Sequence, residues 1–453
     1  MERATQKDSI NNEQKKKSGW ERRQPLSDSD TSRSPDDVSP LDIDNDGQLT
    51  SSAELQDIFN EIFPQQEEIV YAFGYGSGVF AQQEQKQTQE RDDKEDDDAN
   101  VGRPQAQETK MLDMILVVRD SLKFHTMNQQ INPHHYAPIF RHGGSSCSTW
   151  WQRHTIHNVF GSGSWFYNPK VFFNLVETPF LKYGVMEVQD LASDLQNWDS
   201  LYIAGRMHKP TATIILDQDS DGTDLWRLQQ QHNLPAAVSM ALLLAACHDS
   251  RQQHNNHETT TCVMSLADLY SHISALSYTG DFRMQVGAED PNKVNKLVHS
   301  PGQLGRFHQL YSKPALEPLV ECGLLSLSSS TEDDAISSTT GSSILASTIS
   351  WNLRDAAAIR HLWEQLPQRF QHLSHFKHHI LNITNHSYNN NNNTTKNKSM
   401  LNRAAQSELQ TELHHIVAPA ARYQSFKGLW TAGWSKSARY ALAKLSKGLL
   451  RKK

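Results

Sequence analysis

Cysteine is scarce in this sequence, and the few cysteines that it has lie far apart. The chain of 453 residues contains four of them, Cys147, Cys247, Cys262 and Cys322, and no two form a CxxC pair. This pattern excludes a disulfide framework and a zinc site built from paired cysteines, because both need several cysteines at short spacing. It indicates a protein of a reducing compartment.

The sequence also lacks an apolar run long enough to span a bilayer. The longest run, residues 236–247, contains Ser239 and is shorter than the roughly 20 residues that a transmembrane helix needs. We therefore predict a core helix over this run and a protein that does not cross a membrane by itself.

Strong net charge is absent too, although the charge is unevenly distributed. A net charge of −7 and a pI near 6.3 argue against nucleic acid as a partner. Between Glu84 and Asp98 there are eight acids and three bases, whereas Gln424 to Lys453 carries eight Lys or Arg and no acid. The first segment is typical of a solvated loop, and the second of a surface that binds something anionic.

Composition and hydrophobic periodicity divide the chain into four segments. We predict a disordered segment at 1–53, an α/β domain at 54–216 with a disordered acidic insert at 82–109, a mainly helical second domain at 217–415 with low-complexity inserts at 326–350 and 388–398, and a basic tail at 416–453. The predicted strands are residues 69–73, 111–118, 182–188, 201–204 and 211–216, and the predicted helices are residues 54–63, 188–198, 234–247, 265–276 and 292–311.

The first candidate site is the glycine-rich turn that follows the first predicted strand. Its residues include Tyr75, Gly76 and Ser77, and small residues there let backbone N–H groups approach a phosphate. The turn is neither a GxGxxG fingerprint nor a Walker loop, because no Gly-Lys-Ser/Thr follows it. By itself such a turn is more often an ordinary tight turn than a phosphate site.

The second candidate is Asp113, which lies within a strongly apolar predicted strand. An unpaired carboxylate there would be costly, and a divalent cation is one natural partner. A glycine-serine turn followed by a strand that carries Asp is the layout of nucleotidyltransferases. In the usual version a second acid stands two residues later, where this chain has Ile115, so Asp120 is a candidate for the second metal ligand. A salt bridge at the strand end is the alternative role for Asp113.

Longer blocks of sequence resemble one family, the mitochondrial phosphatidate cytidylyltransferases, also described as translocator assembly and maintenance proteins. The blocks are Tyr75-Gly76-Ser77-Gly78-Val79-Phe80, His125-x-x-Asn128-x-x-x-Asn132-x-x-His135-Tyr136, Phe166-Tyr167-Asn168-Pro169, Lys182-Tyr183-Gly184-Val185, Asp190-Leu191-x-x-Asp194-Leu195-x-x-Trp198, Leu201-Tyr202-x-Ala204-Gly205-Arg206-x-His208-Lys209-Pro210, Leu276-Ser277-Tyr278-x-Gly280-Asp281-x-Arg283-Met284 and Asn292-Lys293-Val294. They occur in order between about Leu55 and Tyr311.

The resemblance implies a fold, a reaction and a site. The fold would be a nucleotidyltransferase-type mixed sheet domain followed by a mainly helical, winged-helix-like domain and a C-terminal amphipathic helix. The reaction would join CTP and phosphatidic acid to give CDP-diacylglycerol and diphosphate, with Mg²⁺ as cofactor, in the synthesis of cardiolipin and phosphatidylglycerol. The location would be the matrix side of the inner mitochondrial membrane.

The same resemblance assigns roles to individual residues. Gly76 and Ser77, with Tyr75, would cradle the triphosphate, and Asp113 would bind Mg²⁺. The cations Lys182, Arg206 and Lys209 would neutralise CTP or the lipid phosphate, since the reaction concentrates negative charge. His125 would contact the ribose or base, although a satisfied structural histidine is the alternative. Arg119 stands where the family often has an acid, and Phe124 replaces a commoner Trp.

The basic tail shows the pattern of an interfacial membrane helix. Between Trp430 and Leu449 the apolar residues fall within an arc of about 120° on a helical wheel, and the Lys and Arg residues lie outside it. This predicts contact with an anionic membrane surface. A helix docked on the second domain, with solvated lysines, is the alternative.

Three rival functions remain to be weighed. A nucleotidyltransferase with a different acceptor would keep the fold, but the basic tail disfavours it. A non-catalytic, membrane-associated scaffold that maintains mitochondrial protein import would fit the missing second acid. Calcium binding at 42–47 or 217–222 is disfavoured, because the twelfth loop positions are Ala53 and Leu228 rather than Glu. We expect both of these segments to be surface loops.

Overall fold

A computed structural model of the protein describes most of the chain between residues 52 and 431. The described residues are 52–64, 66–76, 78–80, 111–154, 166–176, 181–217, 220–249, 261–285, 290, 292–328, 347–352, 356–378, 380 and 403–431. They all belong to the compact unit Gly47–Lys453. The predicted disordered start (apart from its last two residues), the acidic insert at 82–109, Ser77, the insert at 388–398 and residues 432–453 of the tail lie outside the described residues.

A five-stranded mixed sheet forms the first part of the fold and confirms the α/β class. Its strands are β1 (Ile69–Tyr75), β2 (Leu112–Val118), β3 (Phe172–Val176), β4 (Leu181–Glu187) and β5 (Ala212–Leu216). The order across the sheet is β3-β4-β2-β1-β5, in which β2 and β4 are parallel and all other neighbours are antiparallel. The central strands are therefore the ones that carry the predicted site residues.

Both faces of this sheet are covered, which explains the continuous apolar character of β2. Ile115 and Val117 belong to one buried cluster, while the alternate residues Met114 and Leu116 belong to another, with Phe59 of the first helix. Side chains of a strand alternate between the two faces, so a strand buried on both sides needs apolar residues at nearly every position. Asp113, near the start of β2, is the one residue of this strand that is only partly buried.

Four helices are interspersed in the chain with the strands of the large sheet, and the other described helices follow β5. They are α1 (Ser52–Ile62), α2 (Ser121–Ile131), α3 (Pro138–Arg153), α4 (Val188–Asn197), α5 (Ser220–Leu228), α6 (Leu234–Asp249), α7 (Leu266–Leu276), α8 (Phe282–Gln285), α9 (Lys293–His299), α10 (Gln303–Tyr311), α11 (Glu317–Glu321), α12 (Ala356–Glu364), α13 (Gln368–Gln371) and α14 (Arg403–Thr431). The predicted helices at 54–63, 188–198, 234–247 and 265–276 are confirmed.

Three predictions of secondary structure are corrected. Residues 201–204 form turns rather than a strand. The helix predicted over 292–311 is two helices, α9 and α10, because the chain turns at Pro301 and at Gly302, whose φ is +73°. The insert predicted at 326–350 is not a loop throughout, since its ends lie in β7 (Leu325–Ser328) and β8 (Thr348–Asn352).

A second, three-stranded antiparallel sheet joins β7 and β8 to β6 (Thr261–Ser265), in the order β6-β8-β7. Its buried residues, among them Cys262 and Trp351, belong to the same hydrophobic cluster as Ile115 of the large sheet. One core therefore runs across residue 216, and the domain boundary placed there stays a prediction.

The last described helix, α14, packs into the body of the protein. It contains Pro419, and its buried side chains include Leu413, Ile416, Tyr423 and Lys427. Thus residues 416–431, predicted as the start of the tail, contribute to the core. Within the described part of the chain, no helix is both long and apolar enough to cross a membrane.

Candidate active site

Three predicted site residues lie side by side at one edge of the large sheet. In the antiparallel pair β1–β2, Tyr75 is opposite Asp113, and in the parallel pair β2–β4, Asp113 is opposite Lys182. Lys182 Nζ is 4.0 Å from Asp113 Oδ1 and 4.6 Å from the centre of the Phe173 ring. The register of the sheet thus places a phenol, a carboxylate and an ammonium in one row.

The glycine turn closes over this row. Gly76 has φ at +83°, in the left-handed region that favours glycine, and a β-carbon built on it would lie 3.8 Å from Asp113 Oδ2. The N–H groups of Val79 and Phe80 donate to the Gly76 carbonyl at 3.2 and 2.9 Å. A β-carbon at Gly78 would lie 2.1 Å from the Met111 carbonyl oxygen, so this glycine is needed for the close approach of β2.

Arg206 comes from the turns that follow α4, and a buried carboxylate fixes those turns. Asp194 accepts hydrogen bonds from the backbone N–H groups of Ser200, Leu201, Ile203 and Ala204 at 2.8–3.2 Å. These N–H groups are consequently not available to a strand partner, which is why residues 201–204 do not form the predicted strand.

The guanidinium of Arg206 lies close to two tyrosine rings. Its Cζ is 4.0 Å from the centre of the Tyr202 ring and 5.4 Å from that of Tyr75, and Nη1 donates to the Tyr202 carbonyl. Burial works to lower the pKa of Arg206, but Tyr202 and Tyr75 outweigh it and raise the pKa. Burial, reinforced by Asp113, raises the pKa of Tyr75. Arg206 therefore lies beside the row at Tyr75 and stays charged.

Lys209 links this region to the helical part of the molecule. Its Nζ donates to the Gly205 carbonyl at 2.8 Å and to Ser277 Oγ at 2.7 Å, and it lies 4.8 Å from the centre of the Tyr278 ring. Lys293 Nζ is 5.5 Å from the same ring. Burial, with repulsion from Arg206 and Lys293, holds the pKa of Lys209 well below its usual value.

Sequence reasoning missed Arg306 of α10. Its guanidinium Cζ is 5.0 Å from the centre of the Phe80 ring, at the end of the glycine turn. Among the described residues no carboxylate pairs with Arg306, and burial lowers its pKa. No local signal in the sequence distinguishes this arginine, because its contact joins residues far apart in the chain. Arg306 thus adds a positive charge at the glycine turn, while Lys182 lies beside Asp113 and Arg206 beside Tyr75.

Asp120 is not the partner of Asp113, which corrects the prediction of a second metal ligand. Asp113 is the second residue of β2, and Asp120 lies two residues beyond the other end of the strand, roughly 20 Å away at about 3.3 Å per residue. Asp120 instead begins α2: its Oδ1 accepts from the N–H groups of Leu122 and Lys123 at 2.8 and 3.3 Å, and it lies 3.7 Å from Arg153 Nη2.

His125 is enclosed in a network of polar side chains rather than open to a ligand. It is 0% exposed, and its Nδ1 and Nε2 lie 2.9 Å from Tyr136 Oη and Gln152 Oε1. Burial lowers the pKa of His125 to about 4, so the ring is neutral. Asn128 extends the network by donating to both Tyr136 and Tyr183. With both nitrogens engaged, His125 has no atom to offer a nucleotide here, and the arrangement matches the structural alternative.

The acidic segment at 217–222 is not a loop throughout, because Ser220 to Gly222 begin α5, and two of its acids form ion pairs with an arginine. Arg119, which follows β2, pairs through Nη2 with Asp217, and its Nε lies 3.3 Å from Asp221 Oδ2. The acids that resemble a calcium loop thus neutralise an arginine. The similar segment at 42–47 lies outside the described residues.

The donors near the glycine turn suit a particular kind of metal binding. Within the part of the chain that the structure describes, no three His, Cys, Asp or Glu side chains are grouped to hold a metal ion. Asp113 offers one carboxylate beneath the turn. Mg²⁺ commonly takes one or two carboxylates and completes its shell with water and substrate phosphates. Asp113 therefore fits an Mg²⁺ ion held largely through a polyphosphate.

Comparison with known proteins gives the family. The profile described as "Phosphatidate cytidylyltransferase, mitochondrial" matches residues 55–447. The chain belongs to that family. This confirms the resemblance read from the sequence blocks, and the match includes Asp113 and the cations around it.

Individual members of this cytidylyltransferase family align over much of the chain, and each has the name "Phosphatidate cytidylyltransferase, mitochondrial". The protein of Schizosaccharomyces pombe is 30% identical over 381 residues, which cover 84% of this chain and 80% of the relative. That of Mus musculus is 27% identical over 391 residues, covering 84% and 91%. That of Dictyostelium discoideum is 32% identical over 264 residues, covering 58% and 53%.

Proposed function

We propose that the chain is a phosphatidate cytidylyltransferase, which converts CTP and phosphatidate into CDP-diacylglycerol and diphosphate. The observation that carries the proposal is the row Tyr75, Asp113 and Lys182 beneath the left-handed turn at Gly76. A carboxylate with one lysine beside it and an arginine against the neighbouring Tyr75 suits a polyphosphate with its metal ion. The names of the relatives supply the identity of the substrates.

The described side chains suggest a division of roles. A phosphate oxygen of phosphatidate attacks the α-phosphorus of CTP, the bond from that phosphorus to its bridging oxygen breaks, and diphosphate leaves with the electron pair. Negative charge grows on the leaving group, so fixed cations stabilise the transition state. We assign Gly76 and Ser77 to cradling the triphosphate, Lys182 and Arg206 to neutralising it, and Lys209 to the phosphate of either substrate.

We infer that Asp113 holds the Mg²⁺ ion of the reaction. Bound there, the ion would neutralise phosphate charge and polarise the phosphorus under attack. Lys182, whose Nζ lies 4.0 Å from Asp113 Oδ1, is close enough to act on the same phosphates. Asp120 has no part in this site.

The finer features of the fold are also proposals. A mixed sheet in which a glycine turn leads to a strand carrying Asp supports a nucleotidyltransferase-type domain. The helices α7, α9 and α10 with the three-stranded sheet β6-β8-β7 support a winged-helix-like second part.

Cellular location completes the proposal. The word mitochondrial in the relatives' names supports the mitochondrion, and we place the protein peripherally on the matrix side of the inner membrane. The basic segment from Trp430 to Leu449 would bind its anionic surface. There the product would feed the synthesis of cardiolipin and phosphatidylglycerol.

Diphosphate release by the purified full-length protein tests the proposal. The protein is incubated with Mg²⁺, phosphatidate vesicles and each of the common nucleoside triphosphates in turn. We expect release with CTP that requires phosphatidate and disappears in Asp113→Asn. The variant Asp224→Asn, which alters an exposed ion pair with Arg227, should retain activity.

The outcome separates the proposal from its rivals. Release with CTP but with another acceptor would indicate a different nucleotidyltransferase. If folded protein binds the vesicles but no nucleotide gives lipid-dependent release, the non-catalytic scaffold becomes the better account. Among the described residues Asp113 is the single carboxylate beneath the turn, and this observation favours that second function.

A further inference from the structure

A cavity of about 380 Å³ lies in the helical part of the molecule, apart from the candidate active site. Its walls come from two π-helical segments, Gln229–Asn233 and Ser312–Leu316, together with α6, α11 and the end of α12. The volume lies in the range of small-molecule binding sites. None of the lining residues belongs to the row at Asp113 or to the cations near it, so a ligand here would occupy a second, separate site.

Prolines account for both π-helical segments. A proline inside a helix has no N–H to donate, and its ring collides with the carbonyl four residues earlier. That carbonyl belongs to Gln231 for Pro235, and to Pro314 for Pro318. Each helix avoids the collision by widening just before the proline, where the π-helical segment lies. Widened turns of this kind occur frequently at functional sites.

Buried hydrogen bonds fix the side of these segments that faces away from the cavity. Gln229 of the first segment donates through Nε2 to the Met207 carbonyl at 2.7 Å. Tyr311, the residue before the second segment, donates through Oη to the His208 carbonyl at 2.9 Å. Both segments are thus held on the turns that carry Arg206. The cavity is therefore preformed, and a ligand would not have to create it.

The side chains around the cavity offer one positive charge and several hydrogen-bond donors. Lys313 is exposed, His361 and Gln365 are half-buried, and among the described residues no side chain or backbone group pairs with any of these three side chains. No Asp or Glu is found among the described residues that line the cavity. A cavity with a free ammonium group and no carboxylate favours an anionic ligand.

Ser239 of α6 adds an unsatisfied hydroxyl at the buried wall. It is 1% exposed, and its Oγ has no hydrogen-bond partner among the described residues. A serine inside a helix can donate to the carbonyl four residues earlier, here that of Pro235, but Ser239 does not. A buried hydroxyl without a partner costs stability, and an oxygen atom of a bound ligand would supply the partner.

We propose that this cavity binds a small organic anion. Its acidic head, a phosphate or a carboxylate, pairs with Lys313, and one of its oxygen atoms accepts a hydrogen bond from Ser239. The apolar remainder packs against Pro314, Pro318 and Leu319, which line the same cavity. The proposal is independent of the reaction at Asp113.

Calorimetric titration of the full-length protein tests the proposal. The probes are inorganic phosphate, butyl phosphate and butyrate, all without Mg²⁺. The variants are Lys313→Gln and Ser239→Ala, with Lys123→Gln as the matched control, because Lys123 is an exposed lysine on α2. Lys182→Gln reports any phosphate bound at the candidate active site. Thermal unfolding of each variant is measured in parallel.

We expect butyl phosphate or butyrate to bind, and butyl phosphate to bind more tightly than inorganic phosphate, because its alkyl chain contacts the apolar wall. Lys313→Gln should weaken this binding by about tenfold, and Lys123→Gln and Lys182→Gln should leave it unchanged. Whichever of the two organic probes binds more tightly identifies the head as phosphate or carboxylate.

Ser239→Ala separates a ligand contact from a structural role. The variant should weaken binding by about threefold to tenfold, the value of one hydrogen bond, while its unfolding temperature stays the same or rises. The reason is that the substitution removes a hydroxyl that has no partner when the cavity holds no ligand.

Three results would overturn the proposal. The first is that none of the three probes shows saturable binding. The second is that binding is lost in Lys182→Gln and retained in Lys313→Gln, which would place the anion at the active site. The third is a lower unfolding temperature of Ser239→Ala with unchanged binding, which would mean that another part of the chain satisfies the hydroxyl.

Discussion

Gly76 lies over the carboxylate of Asp113. Its φ of +83° turns the chain back so that a β-carbon at this position would lie 3.8 Å from Asp113 Oδ2. A side chain here would therefore carry two penalties: the strain of a left-handed backbone and the loss of space beside the proposed metal ligand. The two penalties can be separated experimentally, because the chain contains glycines that would suffer only the first.

The substitution Gly76→Ala should lower the free energy of unfolding by about 1 kcal/mol through backbone strain. It should also lower kcat/KM for CTP by about a hundredfold, because the added methyl group would occupy space beside Asp113 Oδ2 where the metal ion and phosphates are proposed to bind. Chemical denaturation and diphosphate release with phosphatidate vesicles measure the two effects.

Gly323→Ala is the matched control. Gly323 has φ at +73°, and a β-carbon built there meets no atom within 4 Å. The Gly323→Ala variant should lose about as much stability as Gly76→Ala but keep the activity of the wild type. Equal activity losses in the two variants would show that Gly76 matters only through strain.

Arg306→Gln should reduce kcat/KM for CTP by about tenfold to a hundredfold, the value of one or two charge-assisted hydrogen bonds to phosphate. The reason is its position against Phe80 of the glycine turn without a carboxylate partner among the described residues. Stability should change little or rise, because a half-buried guanidinium loses its burial cost.

Arg360→Gln provides the comparison for Arg306. Arg360 forms an exposed pair with Glu364 on α12 at 2.8 Å, so its loss should affect neither activity nor stability by much. Unchanged kinetics in Arg306→Gln would remove Arg306 from the nucleotide site and leave the triphosphate to Lys182 and Arg206.

Lys209 should make substrate binding depend on pH. Burial holds its pKa well below the usual 10.5, and an anion bound beside Nζ would raise that pKa again. Binding of CTP or phosphatidate then takes up a proton between the two pKa values, so affinity falls as pH rises through that range. In the ligand-free protein the sign is opposite: the unfolded chain binds the proton more tightly, so stability rises with pH between the lowered pKa and 10.5.

Calorimetry in two buffers of different ionisation enthalpy measures this proton uptake directly. Lys209→Met should abolish the uptake and the pH dependence of affinity, whereas Lys296→Met, which removes a pair with Asp290, should preserve both. If the wild type bound CTP or phosphatidate without taking up a proton at every alkaline pH measured, this result would contradict a direct contact between Lys209 and an anion.

Much of this site could be predicted because its residues follow the periodicity of the central strands. Asp113 and Lys182 lie on apolar strands whose pairing puts them side by side, and the turn at Gly76 follows the neighbouring strand. Asp120 was wrongly predicted to share a metal ion with Asp113 because the two are close in sequence. The chain between them is the extended strand β2, which separates their carboxylates. Arg306 was missed because its contact depends on how α10 packs on the turn.

Burial explains two other differences between sequence and structure. His125 has the residue type of a ligand, and only the structure shows both its nitrogens bonded to Tyr136 and Gln152. Residues 201–204 have the composition of a strand, and only the structure shows that the Asp194 carboxylate accepts hydrogen bonds from their N–H groups. In both cases the partner lies several residues away on another element, where a local pattern cannot indicate it.

Asp194→Asn tests whether that carboxylate positions Arg206 and Lys209. An amide can accept through only one atom, so some of the N–H groups at residues 200–204 would lose their partner and face another donor. We expect the free energy of unfolding to fall by about 2–3 kcal/mol, and kcat/KM to fall more than stability alone explains, because both cations follow these turns.

Asp57→Asn on the exposed side of α1 is the control and should behave as the wild type. The decisive measurement is activity well below the unfolding temperature, where both variants are fully folded. If Asp194→Asn is then as active as Asp57→Asn, the carboxylate stabilises the fold without positioning the cations. If activity is lost while circular dichroism stays native, the site depends on a residue that itself contacts no substrate.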